Sequence, residues 1–555
     1  MTKAIIYLNP NSGLNLQSQI RQKLVEAILT GTFPAGHRLP SSRKLAQQLE
    51  VARNTVVLAY QQLIDEGYLI ARERSGLYIN EKILEHRVGF EGKLPSPRPA
   101  SPFWRNRLKT RVPLEREFVC PPNWQQYPYP FIEGQFDQSL YPVKEWREAN
   151  RLALGVRDIN EWAGETGDID DPMLVNEIRR KILPRRGIQA TPDEILITVG
   201  TQQALHLVVE LLVDSTVSVA MEEPGYPGMR RLLERRGAPL VYQPLDAEGL
   251  VVDGRLDQCR LVYVTPSHQA PTAVTMSMER REALLDKAHH QDLLIIEDDF
   301  DSESNYLGNP HPALKSIDTA DRVIYMSCLS KVLSPGLRLG FMVAPPEIIE
   351  AARYLRRLTV RHPPLNNQRT AAYFLSLGHY DTFLMHLHET FRERWIALRR
   401  ALNYYLLHHV VMTPAQGGSS FWVRGPSDLD AAFVVKEAAR RGVLIEPVED
   451  YYATSNVPEN CFRMGITSIP HDRIREGVLQ LRDLFYDLTA NKSENFSGAQ
   501  GRHVTGTELY ETIADSTMLS LIAYGDPCTI ELRADGTMLG KAGHADEDVD
   551  TGSGG

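Results

Sequence analysis

Between about residues 115 and 488, short apolar runs alternate with longer segments of helical spacing, and few folds accommodate that alternation. EILITVG runs into TQQALHLVVELLV, VSVAMEE precedes PGYPGMRRLLERRG, and LVYVTPSHQ, LLIIEDDF, VIYMSCLSK and LGFMVAPPE follow in order. Runs that are apolar along their whole length, not on alternate residues, belong to strands covered on both faces. That predicts an α/β domain over 114–488, a mainly parallel sheet with helices on each side, and a smaller subdomain from about 395. A chain of 555 residues is too long for this domain alone and has room for others.

Residues 14–80 form a separate unit. LNLQSQIRQKLVEAILTGTF carries Ile20, Leu24, Ala27 and Ile28 at helical spacing and stops at Gly31. A second helix starts in LPSSRKLAQQLEV with Ser41 or Ser42 as its cap, and ARNTVVLAYQQLIDEGYL gives a third that ends at Gly67. YLIARERSGLYIN then reads as two short strands about a turn near Ser75 and Gly76. Three helices and a basic hairpin describe a winged helix-turn-helix. The start of its third helix, which faces the major groove in such motifs, carries Arg53, Asn54 and Thr55. These offer a guanidinium for guanine edges, an amide suited to adenine and a hydroxyl for phosphate. Over about 65 residues the stretch resembles the GntR-type DNA-binding domain, with Ala52 where a serine is usual. The resemblance implies operator DNA as a partner, with Arg43 as a further contact and Gly76 at the tip of the wing.

Charge supports the same division. Residues 1–80 hold nine Lys/Arg against five Asp/Glu, although the whole chain is at −9, so only this first region suits a polyanion. Residues 81–113, with KLPSPRPASPFWRNRLKTRVP, form a proline-rich linker that could extend to at most about 110 Å. Residues 489–555 are a polar, acidic extension with one hairpin signal, TIELRADGTMLGKAG, turning at Asp535-Gly536. Five scattered cysteines without a CxxC pair suggest neither a metal site nor a disulfide framework. No apolar run reaches the ~18–20 residues that span a membrane, and MTKAIIYLNP lacks the pattern of a signal peptide. The expected location is cytoplasmic.

Chemistry gathers at the ends of the large domain's strands, where α/β folds place ligands. Gly200, Thr201 and Gln202 link a strand to a helix whose first N–H groups could cradle a phosphate. Tyr226, in EEPGYPG, could lie against a heterocycle, and Asp298 follows LLIIE at the end of a buried strand. Lys331 closes VIYMSCLSK, with Ser330 beside it and Arg338 shortly after. Each has a plain alternative: a solvated loop lysine, a turn aromatic, a helix cap. Together they supply what pyridoxal 5'-phosphate requires: an amine for the imine, a carboxylate for the pyridine nitrogen, a stacking ring and phosphate ligands.

A GntR-type reader joined to such a domain resembles the MocR/GabR family of transcriptional regulators, whose large domain has the aminotransferase fold (fold type I). EEPGYPG, TPSHQAPT, IIEDDFDSE, LSKVLSPGLRLG and FRMGITS carry the likeness across about residues 14–485. It implies a homodimer in which Lys331 forms the Schiff base, Asp298 holds the pyridine nitrogen, Tyr226 stacks and Arg338 binds phosphate. It also implies that Arg463 binds the carboxylate of an amine-bearing or amino-acid-like effector, sensed through aldimine formation at Lys331. The chain departs from the family at Phe300, where a tyrosine is usual, at Cys328, where Ser or Thr would touch the phosphate, and at Ala273, where glycine is usual. One lost hydrogen bond to a charged group costs roughly 1.5–3 kcal/mol, which weakens the cofactor site without abolishing it. The alternative reading is a working pyridoxal-phosphate-dependent aminotransferase with an attached reader.

Overall fold

A computed structural model describes residues 7–9, 12–84, 103, 106–107, 120–164, 167–406, 409–413, 415–453, 457–494, 519–523, 526–532, 537–542 and 550–553. The chain forms two compact units, Met1–Pro113 and Leu114–Gly555.

In the first unit, three helices, α1 (Leu16–Leu29), α2 (Ser42–Leu49) and α3 (Arg53–Asp65), precede strands β1 (Leu69–Arg72) and β2 (Gly76–Ile79). The strands pair antiparallel from Leu69↔Ile79 to Arg72↔Gly76 and form the wing. Ile20, Leu24, Ala27 and Ile28 line the buried face of α1 and pack with Leu45, Val56 and Leu63. Truncating a buried leucine of such a core to alanine typically costs about 2–5 kcal/mol. Caps set where the helices begin. Asn15 Oδ1 accepts from the Ser18 amide at 2.8 Å and Ser41 Oγ from the Lys44 amide at 3.3 Å. Of the two serines predicted as cap for α2, Ser41 takes that place. Ala52 caps α3 and offers no side-chain acceptor.

The second unit is built on an eight-stranded sheet in the order Ile195–Thr198, Gly340–Val343, Val323–Cys328, Leu294–Asp298, Leu261–Val264, Val219–Glu223, Leu240–Asp246, Gly249–Leu250. Five neighbouring strands from Val323–Cys328 to Leu240–Asp246 run parallel. Gly340–Val343 runs antiparallel to both its neighbours. The mainly parallel sheet predicted from the sequence is therefore present, and Ile195–Thr198, Leu261–Val264 and Gly340–Val343 are buried at every position.

The smaller subdomain follows the 27-residue helix His379–Tyr405. Its sheet runs Val411–Met412, Ser420–Arg424, Cys461–Gly465, Glu446–Pro447, backed by helices Ala431–Arg440 and Ile474–Glu494. It also takes in a piece from the start of the unit, because Tyr129–Pro130 pairs in parallel with Val443–Leu444. A boundary near 395 does not include that piece, since the pairing joins residues more than 300 apart. Gly465 fixes the contact: its amide donates to Phe131 O at 3.0 Å. A β-carbon there would lie 2.4 Å from Ile132 O and 2.6 Å from Glu133 N.

Beyond the last helix, Leu519–Ala523, Asp526–Leu532, Thr537–Ala542 and Asp550–Ser553 form a four-stranded antiparallel sheet. The predicted hairpin falls on its middle pair, and Asp535-Gly536 lies outside the described residues. Two flanking strands are present where the sequence signalled only one hairpin. Among the described residues no helix is long and apolar enough to cross a membrane.

Candidate functional sites

The strand Val323–Cys328 hands the chain to a one-turn helix, Ser330–Leu333, that carries Lys331 into a cavity of about 790 Å³. Its Nζ donates to Glu133 Oε1 and, at 3.1 Å, to Ser419 Oγ. Asp301 Oδ1 stands 3.8 Å away, and the ammonium sits 4.5 Å from the centre of the Phe300 ring. Where a tyrosine hydroxyl would point into the site, this chain presents an aromatic face to a cation. Cys328 lies half-buried at the end of the strand, and burial pushes its thiol up to about 11, so it is no thiolate at neutral pH.

Asp298 occupies the end of the next parallel strand, paired in register with Met326. Tyr263 donates its hydroxyl to Oδ2 at 2.9 Å, while Oδ1 is buried with no protein partner. Burial raises this carboxyl to about 7, against the Tyr263 hydrogen bond that would lower it. A buried acceptor without a donor costs roughly 1–3 kcal/mol. A pyridine nitrogen carrying a proton would supply the missing donor and favour the ionised acid, so the residues present fit pyridoxal phosphate at this end.

At the other end, Gly200 (φ +74°) caps the helix Thr201–Leu212, whose first two residues line the cavity. Gly340 lets the antiparallel strand approach this turn, since a β-carbon there would lie 2.7 Å from Gly200 C. Arg338, itself left-handed at φ +52°, reaches the same turn and donates through Nη2 to Val199 O at 3.3 Å. A helix N-terminus and an arginine together suit a phosphate dianion. Tyr226 donates to Gln202 Oε1 at 2.8 Å, which fixes its ring at the cavity wall. Ser330 begins the lysine's helix, and its side chain lies outside the described residues.

Arg463 enters from the strand Cys461–Gly465 of the small subdomain and is 5% exposed. Its Nε donates to Ser420 Oγ and its Nη1 to Tyr451 OH, both at 2.8 Å. Nη2 pairs with Glu133 Oε2, and Nη1 lies 3.5 Å from Glu446 Oε2. Glu446 is the cross-strand neighbour of Arg463 and accepts from the Glu133 amide at 3.0 Å. Burial raises its carboxyl to about 8, opposed by Lys331, and it pulls the guanidinium of Arg463 below its ordinary range.

The fold thus brings Thr201, Gln202, Tyr226, Asp298, Lys331, Arg338 and Arg463 onto one cavity, with Gly200 in the adjoining turn. The sequence did not point to Glu133, Ser419, Glu446 or Tyr451. Glu133 follows the apolar triplet PFI, and no spacing rule links it to a lysine 198 positions later.

In the first unit, Arg53 and Asn54 open α3 and are exposed, Thr55 is half-buried beside them, and Arg43 is exposed on α2. Neither arginine has an ion-pair partner among the described residues. Gly76 begins β2 at φ +114°, with Arg38 alongside: a β-carbon there would lie 3.2 Å from Arg38 Nε. Arg72 lies over the Tyr78 ring at 4.5 Å and 3.5 Å from Glu81, so its charge is partly engaged within the wing.

Residues 16–79 match the bacterial regulatory proteins of the gntR family, and residues 131–481 match aminotransferase class I and II. The chain is 40% identical over 476 residues to the HTH-type transcriptional regulator TauR of Rhodobacter capsulatus, covering 86% of this chain and 97% of that protein. It is 30% identical over 496 residues to the probable rhizopine catabolism regulatory protein MocR of Rhizobium meliloti, covering 88% and 97%. Among solved structures it is similar to LysN, the α-aminoadipate aminotransferase of Thermus thermophilus in complex with N-(5'-phosphopyridoxyl)-L-leucine. That likeness has a TM-score of 0.61 and 28% identity over 66% of this chain and 94% of the other. With a gntR-type DNA-binding domain ahead of an aminotransferase-like domain, and relatives aligned through both, the chain belongs to the MocR family of transcriptional regulators.

Proposed function

We propose that this regulator senses an amine-bearing metabolite in the cavity around Lys331, with pyridoxal phosphate held there as the capturing group. The observation that carries the reading is Asp298, whose buried Oδ1 lacks a partner at the end of the strand beside the lysine. When bound, pyridoxal phosphate supplies a carbonyl that reacts with primary amines and a ring that reports the reaction by its visible absorption. The chain's own residues do the rest. Asp298 would accept from the ring nitrogen, the Gly200–Gln202 turn and Arg338 would hold the phosphate, and Tyr226 would stack on the ring. Lys331 would supply the amine that holds the carbonyl carbon and that an incoming amine would replace, and Arg463 would receive the second, anionic group of the effector.

The protein acts as a homodimer on operator DNA, with Arg43, Arg53, Asn54, Thr55 and Gly76 at the DNA surface. The linker of residues 81–113 gives each reader the reach to dock on a partner chain. An effector shifts the DNA-bound arrangement by no more than its difference in affinity for the two states of the large domain.

The test is the visible spectrum of the full chain beside Lys331→Ala, with pyridoxal phosphate added and before and after borohydride. The expected result is a band that borohydride reduces in the parent and that the variant lacks. A parent that stays colourless overturns the reading. Sustained conversion of an amino donor and an oxo-acid acceptor would overturn sensing in favour of an enzyme.

A further inference from the structure

Resting on that reading, the geometry points to Glu133 as a built-in occupant of the effector's anion position, which an amine must displace with an anion of its own in order to signal. One carboxylate bridges Arg463, the cation expected to hold the effector's anion, and Lys331, the residue its amine would displace: Oε1 accepts from Lys331 and Oε2 pairs with Arg463. The anion of a ligand whose amine had taken the place of Lys331 would make the contact with Arg463 that Glu133 Oε2 makes now. Ser419 is arranged to tolerate the displacement. Its hydroxyl lies 2.7 Å from Glu133 Oε1 and 2.9 Å from Asp301 Oδ2, so it keeps an acceptor in Asp301 when Glu133 leaves.

The backbone of Glu133 is fixed, so displacement falls on its side chain. Its amide donates to Glu446 Oε1 at 3.0 Å, and Gly465 is packed against the same peptide. The site cannot hold a second anion without that movement. Glu133, Asp301 and Glu446 already face Lys331 and Arg463 in a largely buried space, and adding a ligand carboxylate beside Glu133 would place like charges together at Arg463. A plain amine makes no such demand. It can react at the lysine's position and leave the Glu133–Arg463 pair intact. Glu133 thereby separates amines that carry an anion from the many that do not. It also raises the concentration at which the former bind.

The probes are linear ω-amino carboxylates of two to five carbons, each paired with the alkylamine that lacks the carboxylate. They are titrated into pyridoxal-phosphate-loaded full chain and followed by the visible spectrum. In Glu133→Gln, the amino carboxylates should bind tenfold or more tightly, and their paired amines should stay within about threefold of the parent. Glu133→Asp keeps the charge but is one methylene too short to span both cations, and it should move the same way. This second variant keeps the test decisive should the first not fold. A parent that answers to amino carboxylates, with variants that bind them more weakly or shift both series equally, overturns the role of Glu133 and leaves the sensing site standing. No response from either series in any variant overturns both.

Discussion

The reader and the cavity solve opposite problems. Arg43, Arg53 and Asn54 stand in solvent, where they are open to a partner from outside the chain. Lys331, Arg463 and Glu133 are held in a largely buried space where each charge already has a counterpart. Exposed charges can be removed at little cost to the fold, whereas a buried charge that loses its partner carries the full desolvation penalty. Arg463→Ala tests this most severely, because it strips the buried Glu133 carboxylate of its guanidinium partner. We expect a loss of about 3–5 kcal/mol in the large unit, read as a lowered melting temperature of the full chain. Arg53→Ala should change stability by less than about 0.5 kcal/mol and instead weaken operator binding by roughly 1–3 kcal/mol. Equal stability losses in the two variants would erase the contrast.

A pH series sharpens it. The ordinary carboxyl of Glu446 is raised to about 8 by burial, with Glu133, Arg463, Lys331 and Tyr451 around it. A carboxyl raised in the folded state binds protons more tightly there than when unfolded. Its stabilising contribution is therefore present below the unfolded value of about 4 and is lost as pH rises through about 8. Asp298 and Glu222, both raised to about 7, act in the same direction. Cofactor-free protein should lose roughly 2 kcal/mol between pH 6 and 8.5 through Glu446, measured by denaturant midpoint, and Glu446→Gln should flatten that slope. An unchanged slope in the variant would place the titration elsewhere.

The two regions also differ in how far they could be read from the sequence. The reader's elements follow within about 65 residues, each set by near neighbours. Helical spacing gave α1, a serine at 41 or 42 the start of α2, and the turn near Gly76 the wing, so the unit's elements could be placed from local rules. The cavity's main parts were legible for a related reason: Gly200, Asp298 and Lys331 each follow a strongly apolar strand, and strand ends are where such sheets collect ligands. Glu133 was not. Its position depends on Tyr129–Pro130 joining the far subdomain and on Gly465 pressing against its peptide, contacts that span more than 300 residues. Glu446 was hidden similarly, since only the register of two strands sets it beside Arg463. Local pattern identifies which residues can do chemistry, and long-range register decides which of them are neutralised.

A smaller effect belongs to the reader. Ala52 stands at the N-cap of α3 with no side-chain acceptor, so Ala52→Ser should add about 1 kcal/mol to that unit. Thermal melting of the first unit's signals should rise while the cavity's spectrum and amine affinities stay as in the parent. A change in the amine affinities would mean that the two regions are energetically coupled in the resting protein.

The smallest effect lies in the loop that packs against Gly418. Ala273 holds φ +59° where the family carries glycine, a conformation that costs a residue with a β-carbon about 1–2 kcal/mol. Glycine would relieve that strain but add freedom to the unfolded chain, which returns about 0.5–1 kcal/mol. The methyl is not idle either: a β-carbon placed on Gly418 would lie 2.9 Å from it, so it packs against the backbone just ahead of Ser419, which contacts Lys331. Ala273→Gly should therefore gain only about 0.5 kcal/mol, the difference of those two costs, seen as a small rise in denaturant midpoint. A loss instead would mean that packing of this methyl against Gly418 outweighs the left-handed strain. The departure from glycine would then be a support for Ser419 and, through it, for the position of Lys331.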